Sequence, residues 1–129
     1  MRELKFRVWS EKQKTYDYKH PYNTLGNFYI NQNGCLFSDY GNAVTPEIKQ
    51  GDFVVEQYTG LQDRGVEIYE GDIIRWANSV GREITAPVVW NTRAWCWTAG
   101  DYMLGGLLEF DIEVVGNIHE DLKLLEDKN

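Results

Sequence analysis

The chain has 129 residues, of which 43% are hydrophobic and 14% aromatic, and its formal net charge is −7. This apolar content suffices for a compact core, so the composition excludes a disordered chain and a fold that depends on metal or disulfide cross-links. No apolar run approaches the roughly 18 residues of a membrane span, and the N-terminus alternates charges without the apolar segment of a signal peptide. We therefore expect a cytoplasmic protein that does not insert into membranes.

The charge and the metal-binding residue types limit the kinds of partner. An acidic chain repels phosphate and lacks the counterion release that drives non-specific binding to nucleic acids. Residues 1–20 are the exception, with six basic against three acidic side chains. Cys35, Cys96, His20 and His119 show no metal-ligand spacing. We expect reduced thiols, no metal and no cofactor.

The first half of the chain is predicted to be extended. Alternating apolar and basic residues over Leu4–Trp9 are typical of a half-buried strand. Asn33-Gly34 lies between the apolar runs Phe28–Ile30 and Cys35–Phe37, which predicts a β-hairpin because both turn residues tolerate a positive φ. A further strand is predicted over Phe53–Tyr58.

The clearest turn signals in the chain are the glycine and aspartate residues of the stretch Gln57–Ile74. A break is predicted at Thr59-Gly60, and turns are predicted at Gln62–Gly65 and Glu70–Asp72, with strands after each turn. Glycine reaches a positive φ without a Cβ collision, and aspartate caps its own turn. The residues assigned to turns here are Gly60, Asp63, Gly65, Gly71 and Asp72.

The rest of the chain continues as short strands, the last of which, Phe110–Ile118, is interrupted by a turn at Gly116 and Asn117. The tail His119–Asn129 is predicted to form one or two helical turns. We predict a mainly β fold with minor α content, either a small barrel or a bent antiparallel sheet with an N-terminal β extension. A single domain over residues 1–129 is the simplest organisation, and a smaller N-terminal lobe over residues 1–45 is the alternative.

Three segments resemble the YopX family of phage and prophage proteins: Arg2–Trp9, Gln57–Ile74 and Glu113–Ile118. The central segment, QYTGL followed by EIYEGDII, is the most specific. At His119–Leu122 the chain departs from the family pattern of an aromatic residue followed by Glu-Asn-Pro. The resemblance implies a protein encoded by a bacteriophage or prophage, which acts inside the bacterial cell without an assigned catalytic activity. It also implies a β-rich body that contains an SH3-like barrel.

Glu67, Glu70 and Asp72 raise the hypothesis of a divalent-metal-dependent enzyme, because clustered carboxylates bind Mg²⁺ or divide acid and base roles. On a strand, however, Glu67 and Tyr69 share one face that is typical of a solvent-exposed surface. The sequence contains no recognisable catalytic triad and no phosphate-binding glycine loop. We therefore predict that the protein is not an enzyme and that Glu67 and Tyr69 contact a partner.

Trp90, Arg93, Trp95 and Trp97 lie close together in the sequence and belong to residue types that are enriched at interface hot spots. They are predicted to bind a host or phage protein, or a second copy of the chain in a homo-oligomer. The opposing interpretation is that one or two of these tryptophans are core residues. Binding of single-stranded nucleic acid to a small barrel is a third alternative, which the acidic charge disfavours.

Overall fold

The computed structural model describes residues 5–11, 14–16, 28–30, 36–38 and 53–126. The chain forms two compact units, a larger one of Met1–Phe6 with Glu56–Asn129 and a smaller one of Arg7–Val55. Strands make up 57% and helices 10% of the structure. The described strands form three antiparallel sheets, of four, five and two strands, and one sheet curls into a half-barrel. The mainly β prediction is confirmed, whereas the assignment of residues 1–129 to a single domain stays a prediction.

The smaller unit contains two antiparallel pairs of short strands. β1 (Phe6–Ser10), which belongs to this unit from Arg7 onward, pairs with β2 (Thr15–Tyr16). β3 (Phe28–Ile30) pairs with β4 (Leu36–Ser38), as the apolar runs on either side of Asn33-Gly34 predicted. The turn itself and Cys35 lie outside the described residues.

The larger unit contains the remaining strands. The strands that contribute to it are β5 (Phe53–Asp63), β6 (Val66–Tyr69), β7 (Asp72–Ala77), β8 (Glu83–Asn91), β9 (Cys96–Ala99), β10 (Tyr102–Met103) and β11 (Glu113–Asn117), and β5 belongs to it from Glu56 onward. Five of them form one antiparallel sheet in the order β10, β9, β8, β7, β11. The strands from β7 to β10 follow one another in this sheet through tight turns, and the site described below is built on one of these turns.

β5 continues through Thr59-Gly60, where the sequence predicted a break. Tyr58 pairs with Tyr69 of β6 and Gln62 pairs with Glu67, so β5 advances by four residues while β6 advances by two. The additional residues form a bulge in which Gly60 takes a φ of +86°. A glycine inside a strand pattern often marks a bulge, and pairing resumes beyond it. The prediction that the strand ends at Tyr58 is therefore wrong.

The core of the larger unit combines sheet residues with one short helix. Helix α1 (Leu104–Leu107) follows β10 directly, and both of its leucines are buried because residues three positions apart share a helix face. A 3₁₀ turn at Leu122–Leu125 accounts for the predicted C-terminal helical turn. In the described part of the chain, no helix has the length and apolar character of a membrane span. The buried apolar cluster comprises Ile68, Ile74, Trp76, Ala86, Val88, Trp97, Ala99, Leu104, Leu107 and Ile112.

Candidate functional site

Two consecutive hairpin turns in the larger unit are held by asparagine side chains. In the β7–β8 turn, Asn78 Oδ1 accepts two backbone N–H hydrogen bonds of 3.1 and 2.9 Å. In the β8–β9 turn, Asn91 Oδ1 accepts hydrogen bonds from the N–H groups of Arg93 and Ala94, both at 2.9 Å. Such contacts satisfy the donors of the turn and fix its shape. In both hairpins, therefore, an asparagine side chain stabilises the turn by accepting backbone hydrogen bonds.

The two turns differ in the residue that takes the left-handed conformation. The φ angle is +82° at Gly81 in the first turn and +52° at Trp95 in the second. This region costs a residue with a Cβ atom about 1–2 kcal/mol, whereas glycine enters it freely. The Trp95 side chain is nevertheless 76% exposed. A large apolar side chain thus points outward from a position where glycine would be less strained.

Three tryptophans form a continuous group from solvent to core, which we call the tryptophan face: Trp90, Trp95 and Trp97. Trp90 pairs with Trp97 across β8 and β9, and their ring centroids lie 5.1 Å apart at an interplanar angle of 73°. Trp90 also meets Trp95 edge to face, at 6.2 Å and 75°. Exposure falls from Trp95 to Trp90, which is 37% exposed, and to Trp97, which is 9% exposed and part of the core. β9 begins only at Cys96, so Trp95 belongs to the turn and Trp97 to the strand.

A cleft of about 420 Å³ adjoins the tryptophan face and is lined by Gln57, Glu70, Trp90 and Trp97. Glu70 is fixed against β5, because its Oε1 accepts a hydrogen bond from the backbone N–H of Gln57 at 3.3 Å. The backbone N–H of Glu70 in turn donates to the carbonyl oxygen of Gln57 at 2.9 Å. The buried Nε1–H of Trp97 has no hydrogen-bond acceptor among the described residues. Two indoles, one carboxylate and one amide therefore surround the cleft.

The other residues predicted to bind a partner do not line this cleft. Glu67 and Tyr69 are half-buried rather than forming an open face. Glu67 makes an ion pair with Lys5, and the Tyr69 hydroxyl donates to Glu67 Oε1 at 3.5 Å. The Tyr69 ring packs against Tyr58 with centroids 5.4 Å apart. Arg93 is exposed in the β8–β9 turn.

A buried acid and a histidine meet beneath the Glu70–Asp72 turn. Glu56 Oε2 lies 2.9 Å from His119 Nε2, and the two side chains are 2% and 9% exposed. Gly71 crosses directly over this pair, since a Cβ atom on it would collide with Glu56 Oε2. This contact was not predicted from the sequence. One sequence feature could have indicated it. Glu56 lies two residues before Tyr58 on a strand, so the two side chains share a face, and a carboxylate on a buried face requires a polar partner.

The comparisons with known proteins agree on one family. The family model of the YopX protein matches residues 5–126. The chain belongs to the YopX family. The crystal structure of protein YopX from Bacillus subtilis is similar over 98% of this chain and 100% of that protein, with a TM-score of 0.55 and 17% sequence identity. At this identity the likeness establishes a shared fold. No curated protein matches the chain at a significant level.

The turn residues of this YopX family member mainly serve the fold. Gly65 and Gly71 take φ angles of +84° and +86°. Asp72 Oδ2 accepts the backbone N–H of Tyr69 at 2.8 Å, and Asn117 Oδ1 accepts two N–H groups at 2.9 and 3.0 Å. The remaining predicted turn residues also stand at strand junctions: Asp63 pairs with Val66 across the β5–β6 turn, and Gly116 lies at the β11 irregularity.

The carboxylate cluster that the sequence suggested does not form. Among the residues that the structure describes, no group of three or more histidine, cysteine, aspartate or glutamate side chains is arranged to hold a metal ion. Glu67 is paired with Lys5, Asp72 is buried in its own turn, and Glu70 lines the cleft. These three acids therefore have separate local roles.

Proposed function

We propose that this YopX family protein is a non-catalytic accessory protein of a phage or prophage, which acts in the bacterial cytoplasm by binding another protein. The contact surface is the tryptophan face with its adjoining cleft. The observation that carries this proposal is Trp95, an indole that is 76% exposed at a left-handed turn position. Strained backbone positions cluster at functional sites, and tryptophan is enriched at interface hot spots.

The charge of the chain favours a basic protein surface as the occupant of this face. A net charge of −7 attracts a basic partner and steers its approach. A second copy of the chain carries the same charge and is repelled over the surface as a whole. Nucleic acid is repelled for the same reason. We therefore favour a host or phage protein that presents a basic patch.

Substitution of Trp95 by glycine separates binding from folding. Glycine suits the φ angle of +52°, so Trp95→Gly keeps the hairpin while it removes the indole. A protein captured by the wild-type chain from infected or lysogenic cells is purified and titrated against both forms. Loss of a hot-spot tryptophan costs about 2 kcal/mol or more, which corresponds to a Kd weaker by about 30-fold. Val80→Ala is the matched control, since Val80 is 83% exposed in the neighbouring turn and should leave the Kd unchanged.

Three results would contradict the proposal. The first is a captured partner that binds Trp95→Gly as tightly as the wild type. The second is a wild-type dimer in sedimentation that Trp95→Gly dissociates, because a second copy would then occupy the face. The third is tight, salt-sensitive binding of single-stranded DNA in a low-salt gel-shift series that depends on Trp95.

A further inference from the structure

We propose that the tryptophan face binds a proline-rich segment of the partner protein in the polyproline II conformation. This inference rests on the proposed function and names the kind of segment that the same surface recognises. It is carried by two observations: the steep inclination of neighbouring indole rings, and indole N–H groups that have no acceptor within the described part of the chain.

The rings of the tryptophan face form a stepped apolar surface. The Trp90 ring is inclined by 75° to that of Trp95 and by 73° to that of Trp97. Proline-rich segments dock their flat rings into grooves that are lined by aromatic side chains in this way. A polyproline II helix rises about 3.1 Å per residue, so two of its residues span the 6.2 Å between the ring centroids of Trp90 and Trp95. The spacing of the two exposed rings therefore suits neighbouring prolines of one segment.

The indole N–H groups favour one backbone conformation of the bound segment. Trp90 and Trp95 are 37% and 76% exposed, and neither indole N–H donates a hydrogen bond to another residue that the structure describes. An α-helix uses its carbonyl groups internally, and a β-strand uses them to pair with the edge of a sheet. A polyproline II helix has no internal hydrogen bonds, so its carbonyl oxygens can accept from the two indoles. This conformation therefore supplies apolar rings and hydrogen-bond acceptors together.

Proline also reduces the entropic cost of binding to so small a surface. Its ring fixes φ near −65°, so a proline-rich segment is largely extended before it binds. A segment that is already in its bound conformation loses less conformational entropy than a flexible one. Contact with proline needs no counter-charge on the protein, because proline carries none. The contact surface of three indoles is therefore better suited to prolines than to a flexible polar segment.

The charge of the chain favours basic residues beside the prolines. Residues 53–126 contain 13 acidic and five basic side chains. Arg93, in the β8–β9 turn, is the only lysine or arginine between residues 83 and 122. Basic residues on either side of the prolines are attracted to this acidic chain without having to enter the tryptophan face. The expected ligand is therefore a proline-rich segment with basic flanks.

The test is a titration of the wild-type protein with three blocked peptides of equal length and charge, each with an arginine at both ends. Between the arginines, the first contains six L-prolines, the second six D-prolines, which form the mirror-image helix, and the third a flexible glycine–serine sequence. Binding is followed through the indole N–H signals in ¹H–¹⁵N spectra, which resolve the individual tryptophans.

We expect the L-proline peptide to shift the signals of Trp90 and Trp95 with a Kd of about 0.1–1 mM. The D-proline and glycine–serine peptides should bind at least about fivefold more weakly, because the first has the wrong hand and the second lacks both the rings and the preformed helix. The signal of Trp76, which is 2% exposed in the core, should not move.

A variant then locates the binding. Trp95→Gly removes the ring and its N–H group, so the L-proline peptide should bind about 10-fold more weakly or worse. Val80→Ala is the matched control, because Val80 is 83% exposed in the neighbouring hairpin turn. Binding of the L-proline peptide to this control should equal that of the wild type.

Equal binding of the L-proline and D-proline peptides, or of the L-proline and glycine–serine peptides, would overturn the inference, as would an unchanged Kd in a folded Trp95→Gly variant. The comparison among the three peptides uses the wild type alone, so it decides the question even if the variant misfolds. Failure here differs from failure of the proposed function. If no peptide binds while a captured protein still depends on Trp95, the protein contact stands and only the proline recognition falls.

Discussion

Gly71 offers the sharpest test of how the buried pair and the turn above it are built. Replacement of Gly71 by alanine introduces a Cβ atom that collides with Glu56 Oε2 and lies 2.9 Å from Glu56 Cδ. The backbone has little freedom to move away, since the Gly71 N–H donates to Val88 and its carbonyl accepts from Ile118, both at 2.9 Å. Glu56 is 2% exposed and bound to His119. The collision therefore displaces the carboxylate from its partner.

The loss of stability in Gly71→Ala can be worked out from a comparison with Gly65. The φ angles are nearly equal, +84° at Gly65 and +86° at Gly71, but a Cβ atom added to Gly65 would have no other atom within 4 Å. Alanine at a left-handed position costs about 1–2 kcal/mol, and the stiffer unfolded chain returns about 0.4–1 kcal/mol, so Gly65→Ala should lower the free energy of unfolding by about 1 kcal/mol. Loss of a hydrogen bond to a charged group adds about 1.5–3 kcal/mol at Gly71. Gly71→Ala should therefore cost about 3 kcal/mol.

Urea unfolding of both variants, followed by tryptophan fluorescence and circular dichroism, measures this difference of about 2 kcal/mol. A second arm repeats Gly71→Ala in a Glu56→Ala background, where the colliding carboxylate is absent. There the extra cost should fall to that of Gly65→Ala, about 1 kcal/mol. Equal destabilisation by Gly71→Ala and Gly65→Ala in the wild-type background would refute the reasoning, because it would mean that Glu56 moves aside without a cost.

Three further outcomes follow from the same contacts. Asn91→Ala and Asn78→Ala should each lower the free energy of unfolding, measured in urea, by about 1–2 kcal/mol, because each leaves two turn N–H groups without their acceptor. Only Asn91→Ala should also weaken partner binding. Equal partner binding by the two variants would argue against a role for the β8–β9 turn. Trp95→Gly should unfold within about 1 kcal/mol of the wild type, since relief of strain offsets the lost ring contact; a loss above about 3 kcal/mol would show that the indole is structural. His119→Ala should cost about 2–3 kcal/mol by leaving the Glu56 carboxylate buried without this partner, and an unchanged urea midpoint would contradict that assignment.

The strand content was predictable because the signals are local. Val66–Tyr69 is a strand in the structure as in the prediction, and it stands between glycine turns that the sequence displays directly. The bulge at Gly60 was not predictable in the same way. Glycine marks both the end of a strand and an irregularity within it, and only the pairing of Gln62 with Glu67 shows that β5 resumes. Helix α1 was missed because four residues containing two glycines carry no helical periodicity.

The composition of the site was partly predictable, but its geometry was not. The density of tryptophans over residues 90–97 indicated the candidate surface, and its role in binding stays a prediction. Glu70 and Gln57 join Trp90 only through the pairing of distant strands, and no local pattern reports such a contact. The burial of each tryptophan depends on where the turn ends. A turn that extends to Trp95 places this indole in solvent and leaves Trp97 as the first tryptophan of β9.

The unequal burial of the tryptophans also determines which substitutions can report on function. Trp97 is 9% exposed within the core, so Trp97→Ala is expected to lose about 3–5 kcal/mol of stability and would confuse unfolding with loss of binding. Trp95 gains about 0.5–1.5 kcal/mol from its ring contact with Trp90, against about 1–2 kcal/mol of backbone strain. These two terms nearly cancel, so folding does not by itself select tryptophan over glycine at this position. In the adjacent hairpin the left-handed residue is a glycine, Gly81, which lies three residues after Asn78, whereas Trp95 lies four residues after Asn91. This balance of strain against ring contact supports the proposal that the Trp95 indole contacts a partner protein.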